Sequence, residues 1–310
     1  MTAPTLEPGY AVVAVDGTEE GNAAVSLAAE EAARLGLVLR LVHVMPPDIP
    51  LRPLLVPDTR GLGSYGSETL ASAARLATDV APDLEVTTHL TMGGRVSEVV
   101  DEAQDATFVV VGRRRATALD RAWSGGTLDG IASRATCPVV MVPSTRDRAD
   151  RPRRVVAGFK SSEHSAELFE AAFRAADELG AELEIVHAWK LSSGYDDMIA
   201  RRVSEAATNR EQKQSIRDLI APWQEGYPDV TVRVHVVHEY PVRALVEASR
   251  EADRLILVKP LHGSLLHHLG RTARGVLRFA ECPVVVVPAK PRDQLTMPPL
   301  ELEEEGELVP

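Results

Sequence analysis

The 310 residues exceed one typical domain and suit two of about 150 residues each. Aliphatic residues can build real cores, since 45 % of the chain is hydrophobic but only 4 % aromatic, as in helices packed on a parallel sheet. The formal charge of −11, from 34 basic and 45 acidic residues, argues against a general nucleic-acid binder, which needs a positive surface to release counterions.

The first element in chain order is a short apolar run at residues 10–15, which reads as a buried strand. A helix follows, with Thr18 as N-cap, an apolar stripe of Val25, Ala29, Ala32 and Leu35, and Gly36 at its C′ position. Strand two is Val38–Val44, and a proline-broken loop comes next. Gly61-x-Gly63-x-x-Gly66 matches a dinucleotide fingerprint literally, but it follows that loop and not a strand, so it reads as flexible loop. A helix over about 67–81 and a strand over 84–90 come next. Val96, Val99, Val100 and Ala103 then fall at helical spacing, Phe108–Val111 reads as strand four, and Leu128, Ile131, Ala132 and Ala135 mark the last helix before strand five, Val139–Val142.

The same order then returns. Val155–Ser162 corresponds to Ala11–Thr18, with Ser162 as the matching N-cap, and Leu179-Gly180 and Val186-His187 match Leu35-Gly36 and Val42-His43. Cys282-Pro283-Val284-Val285 mirrors Cys137-Pro138-Val139-Val140, a spacing of 144 to 145 residues that marks a duplicated domain. Strand two is matched by Glu182–Ala188, the following helix by a single helix over about 197–222, and strand three by 230–237. Strands four and five are matched by Leu255–Val258 and Val284–Val287. The fold class is therefore α/β: two tandem, doubly wound, five-stranded parallel-sheet domains of Rossmann-like type. The boundaries are residues 1–147 and 152–290, with charged linker residues between them, and residues 291–310 form an acidic tail expected to be disordered. The β-forming valines of the two fifth strands predict that the copies pair there within one chain, because an exposed edge of that kind needs covering.

Ligands of open parallel sheets bind beyond the carboxyl ends of the strands. Two stretches converge there in the first copy: Asp16-Gly17-Thr18 after strand one, and the segment from Gly112 to Gly125-Gly126-Thr127 at the start of the last helix. Glycines let backbone approach phosphate, free N–H groups at a helix start favour anions, and Asp16 could hold a divalent metal ion. The Arg113–Arg115 run reads equally as phosphate contact or as solvated loop. Read alone, Asp16 would be a turn or capping residue.

These motifs give the chain its resemblance to universal stress proteins, in which strand one ends in Asp-Gly-Ser and strand two in a His-Val pair. Nucleotide-binding members carry Gly-x2-Gly-x9-Gly-Ser before the last helix and Cys-Pro-Val before strand five. Here Asp16-Gly17-Thr18, His43-Val44, Gly112, Gly125 and Cys137-Pro138-Val139 stand in those places, and the likeness covers roughly residues 9–145 and 153–289. The resemblance implies the fold of the adenine nucleotide alpha hydrolase-like group and a stress-response protein that binds ATP with Mg²⁺ in copy one. In that reading Val44 contacts adenine, the Gly112 loop wraps ribose and phosphates, and Gly125 and Gly126 meet the phosphate tail. It also implies domain pairing through strand five and allows a homodimer. Arg115 replaces the second motif glycine and Gly126 the serine, so Thr127 would supply the hydroxyl and Arg113 or Arg115 would pair with phosphate.

Copy two is eroded: Lys160 replaces Asp16, Ser161 replaces Gly17, Lys259 is read against Gly112, and Gly270-Arg271-Thr272 opens the last helix. The alternative function is a nucleotide-free protein acting through dimerisation and partners. No catalytic constellation such as a P-loop, nucleophile elbow or His-Glu-x-x-His helix is present in the sequence. His43 and His187 read as buried structural histidines, Cys137 and Cys282 as inert buried thiols, and His262, His267 and His268 as a solvated helix start without ligand spacing. With two cysteines, no apolar run of 18 residues and no charged leader, a cytoplasmic protein with no membrane segment is expected.

Overall fold

The structure is a computed structural model and describes residues 9–45, 60–113, 125–144, 152–191, 194–259 and 269–289. The first half runs β1 (Tyr10–Ala14), α1 (Glu19–Leu35), β2 (Val38–Met45), α2 (Arg60–Val80), β3 (Val86–Met92), α3 (Arg95–Glu102), β4 (Phe108–Arg113), α4 (Gly125–Arg134) and β5 (Val139–Pro143). The second runs β6 (Arg154–Phe159), a 3-10 turn (Ser162–His164), α5 (Ser165–Leu179), β7 (Glu182–Ala188), α6 (Gly194–Val203), α7 (Glu205–Gly226), β8 (Val232–Val237), α8 (Pro241–Ser249), β9 (Arg254–Lys259), α9 (Arg271–Phe279) and β10 (Val284–Pro288).

All ten strands form one sheet in the order β3-β2-β1-β4-β5-β10-β9-β6-β7-β8. Within each half the strands are parallel with crossover helices, as the alternation of apolar runs and helical stripes requires, and their order is 3-2-1-4-5. The halves join antiparallel through β5 and β10, with Val139, Val140 and Met141 opposite Val286, Val285 and Val284. One face of the sheet is covered by α1, α2, α5 and α7, the other by α3, α4, α8 and α9. The central strands are buried on both faces, so Ala11, Val12 and Val13 are all fully enclosed and read as a continuous apolar run.

Local signals decide the helix ends. Thr18 has extended backbone and its hydroxyl accepts from the Gly21 N–H at 3.1 Å. Gly36 and Gly180 end α1 and α5 at φ 65° and 57°, in the left-handed region that a side chain disfavours. Leu37 N–H and Ala181 N–H return to Ala32 and Ala176 C=O, satisfying carbonyls the helix cannot pair.

Four expectations are corrected. Ser162 does not cap α5; it opens the 3-10 turn, and α5 starts at Ser165. The Gly61–Gly66 stretch is not loop but the opening turns of α2, where Gly66 packs so closely that a Cβ would stand 2.7 Å from Leu90 Cδ1. The helix expected over 197–222 is two helices broken at Ser204. Finally, strand four is out by one residue: Val142 pairs with Gly112 and Pro143 with Arg113, while Val287 pairs with Val258 and Pro288 with Lys259. Val258 is therefore the counterpart of Gly112, and Lys259 that of Arg113.

That register explains the altered start of α5. In the first half a Cβ on Gly112 would lie 2.5 Å from the carbonyl carbon and oxygen of Glu20 and 2.6 Å from Gly21 N, so α1 begins against bare β4 backbone. The second half has Val258 and Ser165 where these two glycines stand, and side chains at both places exclude that approach. The chain makes a 3-10 turn first and enters the helix two residues later.

Candidate functional site

At the carboxyl end of β1, Asp16 and Gly17 are exposed, and Gly17 takes φ 75°. Asp16 Oδ1 accepts from Thr18 N–H at 3.0 Å and from Thr18 Oγ–H at 2.6 Å, while Thr18 Oγ accepts from Gly21 N–H. This chain of bonds fixes the carboxylate at the rim of the sheet in a turn-and-cap role. A Cβ on Gly17 would be 3.4 Å from Thr69 Cγ2 and 3.5 Å from Tyr65 Oη, so α2 lies over the same rim.

The structure carries Val44 on β2, buried and paired with Thr91. Beside it His43 is 9 % exposed, and its Nδ1–H donates to Val15 C=O at 2.7 Å. The second half repeats the bond from His187 Nδ1 to Phe159 C=O at 3.1 Å. A carbonyl can only accept, so Nδ1 carries the proton in both rings and the histidines pin strand two to the end of strand one.

Gly112 sits at the end of β4, in contact with the start of α1. Across from it α4 begins at Gly125; Gly126 is exposed, with nothing among the described residues within 4 Å of a Cβ, and Thr127 is half-buried in the same turn. Because α4 leads back to the amino end of β5, its first turn lies at the carboxyl edge of the sheet, on the side of Asp16–Thr18. Arg115 lies outside the described residues, as do His262, His267 and His268.

Arg113 does not point to a solvated loop. It is 2 % exposed, and its guanidinium donates to Arg278 C=O at 3.2 Å and to Ala280 C=O, both at the carboxyl end of α9. The sequence left phosphate contact and solvated loop as its alternatives, and the destination across the interface was in neither.

Tyr65 and Thr69 are the rim residues that sequence reasoning missed; their spacing of four on α2 was the available signal. The corresponding edge of the second half is filled by its own side chains. Trp189 Nε1–H donates to Asn209 Oδ1 at 2.6 Å and its ring lies 4.4 Å from that of His238. His238 Nε2 meets Asp197 Oδ1 at 2.7 Å, and Asp197 also accepts from Leu191 N–H at 3.0 Å. Desolvation pushes the Asp197 carboxyl up, but Leu191 N–H, His238 and Lys190 outweigh it and hold the group below its ordinary value. Lys160, at the Asp16 position, is exposed.

Cys137 and Cys282 are both buried, and burial pushes the Cys137 thiol up to about 11, as suits an inert packing residue. Among the described residues no group of three or more His, Cys, Asp or Glu side chains converges as a metal cluster. No described helix is long and apolar enough to cross a membrane.

A sequence model of the universal stress protein family matches residues 11–143 and again 152–288. Universal stress protein Rv2005c of Mycobacterium tuberculosis is 32 % identical over 295 residues, covering 92 % of this chain and 99 % of that protein. A universal stress protein of Mycolicibacterium smegmatis is 29 % identical over 288 residues, covering 89 % and 96 %. Among solved structures, a universal stress protein from Archaeoglobus fulgidus superposes with a TM-score of 0.65 at 18 % identity, over 92 % of this chain and 100 % of that one. At that identity the likeness concerns the fold.

Proposed function

Because the chain belongs to the universal stress protein family, we propose that it is a stress-response protein whose first domain binds one ATP with Mg²⁺ and acts as a regulatory module. The single observation that carries this reading is the open first turn of α4. Gly126 is exposed, and among the described residues nothing lies within 4 Å of where its Cβ would stand, so helix N–H groups can meet an anion at close range.

The residues fit the group in part. Asp16 would be a lone protein ligand to Mg²⁺, with phosphate oxygens and water completing the shell, which is how that ion is usually held. Bound ATP would bring the phosphates that the α4 turn and the metal neutralise. Val44, Gly112 and the rim of Tyr65 would bound its base and ribose, and Thr18 would keep Asp16 oriented. Gly17, Gly125 and Thr127 would let the chain pass close to the ligand, with Arg115 an added cation near the phosphates.

The second domain takes no nucleotide in this reading. Lys160 cannot coordinate a metal while protonated, and Trp189, His238 and Asp197 occupy its own rim. The two domains act as one intramolecular pair, a reading supported by the β5–β10 ladder, in a cytoplasmic protein.

Titration calorimetry of the full chain with Mg-ATP should saturate near one site, and Asp16→Ala should weaken it severalfold. Two equal sites, or none, would sink the assignment. In the second case the nucleotide-free reading takes its place.

A further inference from the structure

The end of β4 and the end of β9 make the same unusual contact in opposite directions. Arg113, the last residue of β4, donates to Arg278 and Ala280 C=O at the carboxyl end of α9 in the second domain. Lys259, the last residue of β9, donates through Nζ to Ser133 C=O at 2.8 Å and Ala135 C=O at 3.0 Å, at the carboxyl end of α4 in the first domain. These carbonyls are equivalent positions of the two last helices, and the two cations are equivalent positions of the two sheets. The last carbonyls of a helix have no partner within it and carry partial negative charge, so a cation seated on them satisfies both needs at once.

Three further facts bear on the arrangement. Lys259 is half-buried, and burial pulls its ammonium below its ordinary value while the nearby Cys137 opposes the fall. Arg274 of α9 acts on Asp129, its counterpart on α4, from across the same interface; burial raises that carboxyl and Arg274 opposes the rise. Arg113 also stands one residue past Gly112, where the segment leading to Gly125 departs.

We propose that Arg113 and Lys259 are reciprocal latches, each anchoring the carboxyl end of its own domain's fourth strand, β4 or β9, to the last helix of the other. For its ligand this rests on the nucleotide reading above; the latch itself does not. Helix α4 presents its first turn to the candidate phosphate site and ends on a lysine of the second domain. Lys259 is thereby a positioning residue for a site it does not touch. In turn, Gly112, which would border the nucleotide in that reading, is followed directly by an arginine seated on α9. Occupation of the first domain is therefore sensed at the carboxyl end of α9, and the second domain serves as its reader without a nucleotide of its own.

Hydrogen exchange of the full-length chain tests the latch without ligand. Lys259→Met should speed exchange of the amides Ile131–Ala135, at and just beyond the end of α4, by about tenfold, the change that loss of roughly 1.4 kcal/mol of local stability produces. Arg113→Met should do the same to the last turn of α9, and Lys259→Arg should restore α4. Changes confined to each substituted residue's own domain, or no change at the helix ends, would overturn the latch. If either Met variant fails to fold, Lys259→Arg and Arg113→Lys answer the same question: rescue-like exchange supports it, and faster exchange throughout the protein refutes it. With Mg-ATP added, the wild type should slow exchange at the end of α9, Arg113→Met should lose that response and Arg113→Lys should keep it. ATP that binds and protects the first domain alone would overturn the coupling. Absence of ATP binding would refute the nucleotide reading, with the ligand-free exchange still deciding the latch.

Discussion

Gly112 of β4 and Glu20 of α1 meet backbone to backbone, with room for no Cβ between them. The glycine that family likeness assigns to nucleotide is thus already required by the packing of strand on helix. Gly112→Ala should destabilise the chain by about 1–3 kcal/mol, because the atoms it meets are main chain and cannot turn aside. Denaturant unfolding of the ligand-free protein checks this, and unchanged stability would mean that the close approach is not needed.

Gly126→Glu separates ligand binding from folding. A side chain there meets no described residue within 4 Å of its Cβ, and a carboxylate in the first turn suits the helix dipole, so thermal stability should stay within about 0.5 kcal/mol of wild type. The same carboxylate would repel phosphate, and any ATP-induced rise in melting temperature should vanish. A rise that survives would place the anion elsewhere.

Thr18 joins Asp16 to the start of α1, accepting from Gly21 N–H and donating to the carboxylate. Thr18→Ala should cost about 1 kcal/mol through the lost cap, and Thr18→Ser should keep most of it. Unfolding curves of the two variants should differ accordingly; equal losses would show that the hydroxyl is not the cap.

On the α1–α5 face, Glu31 binds Arg254 at 2.5 Å and Arg34 at 2.6 Å, and Arg34 reaches Glu178 at 3.0 Å. Burial by itself pushes Glu31 up, but the arginines outweigh it and hold the carboxyl below its ordinary value of 4.5. The folded state then binds fewer protons than the unfolded one, so this contribution is complete above that value and is lost as pH falls through the folded pKa. Wild type should lose stability in that acid window more steeply than Glu31→Gln. Parallel curves would mean that the cluster contributes nothing.

Cys137 behaves in the opposite sense. Its thiol titrates at about 11 in the fold against 9.0 ordinarily, so between those values the unfolded chain has released a proton that the folded chain keeps. Stability should fall with rising pH across that window, by roughly 2–3 kcal/mol at its top. Cys137→Ser should flatten the fall, and alkylation of Cys137 at neutral pH should follow global unfolding. Fast alkylation of the folded protein would refute the inert reading.

The duplication, the parallel α/β class and the caps at Thr18, Gly36 and Gly180 were legible in the residues because each depends on a local pattern. Apolar runs make double-buried strands, Thr18 offers a cap oxygen, and Gly36 and Gly180 allow a left-handed turn. His43 and His187 could be read as structural because a histidine in a strand has few other uses there. The register of strand four was not legible: Arg254 stands where the first copy has Phe108, so matching the two apolar runs shifts them by one residue, and only the pairing of β9 with its neighbours makes Val258 the counterpart of Gly112. The destination of Arg113 was hidden for a different reason. It lies on a helix 165 residues away in the chain, brought near by the antiparallel meeting of β5 and β10. An arginine beside glycines has the composition of a phosphate loop, and local sequence carries no trace of the carbonyls it will meet. Side-chain chemistry fixed what each residue could do, and the interface between the two copies decided which of those things Arg113 and Lys259 do.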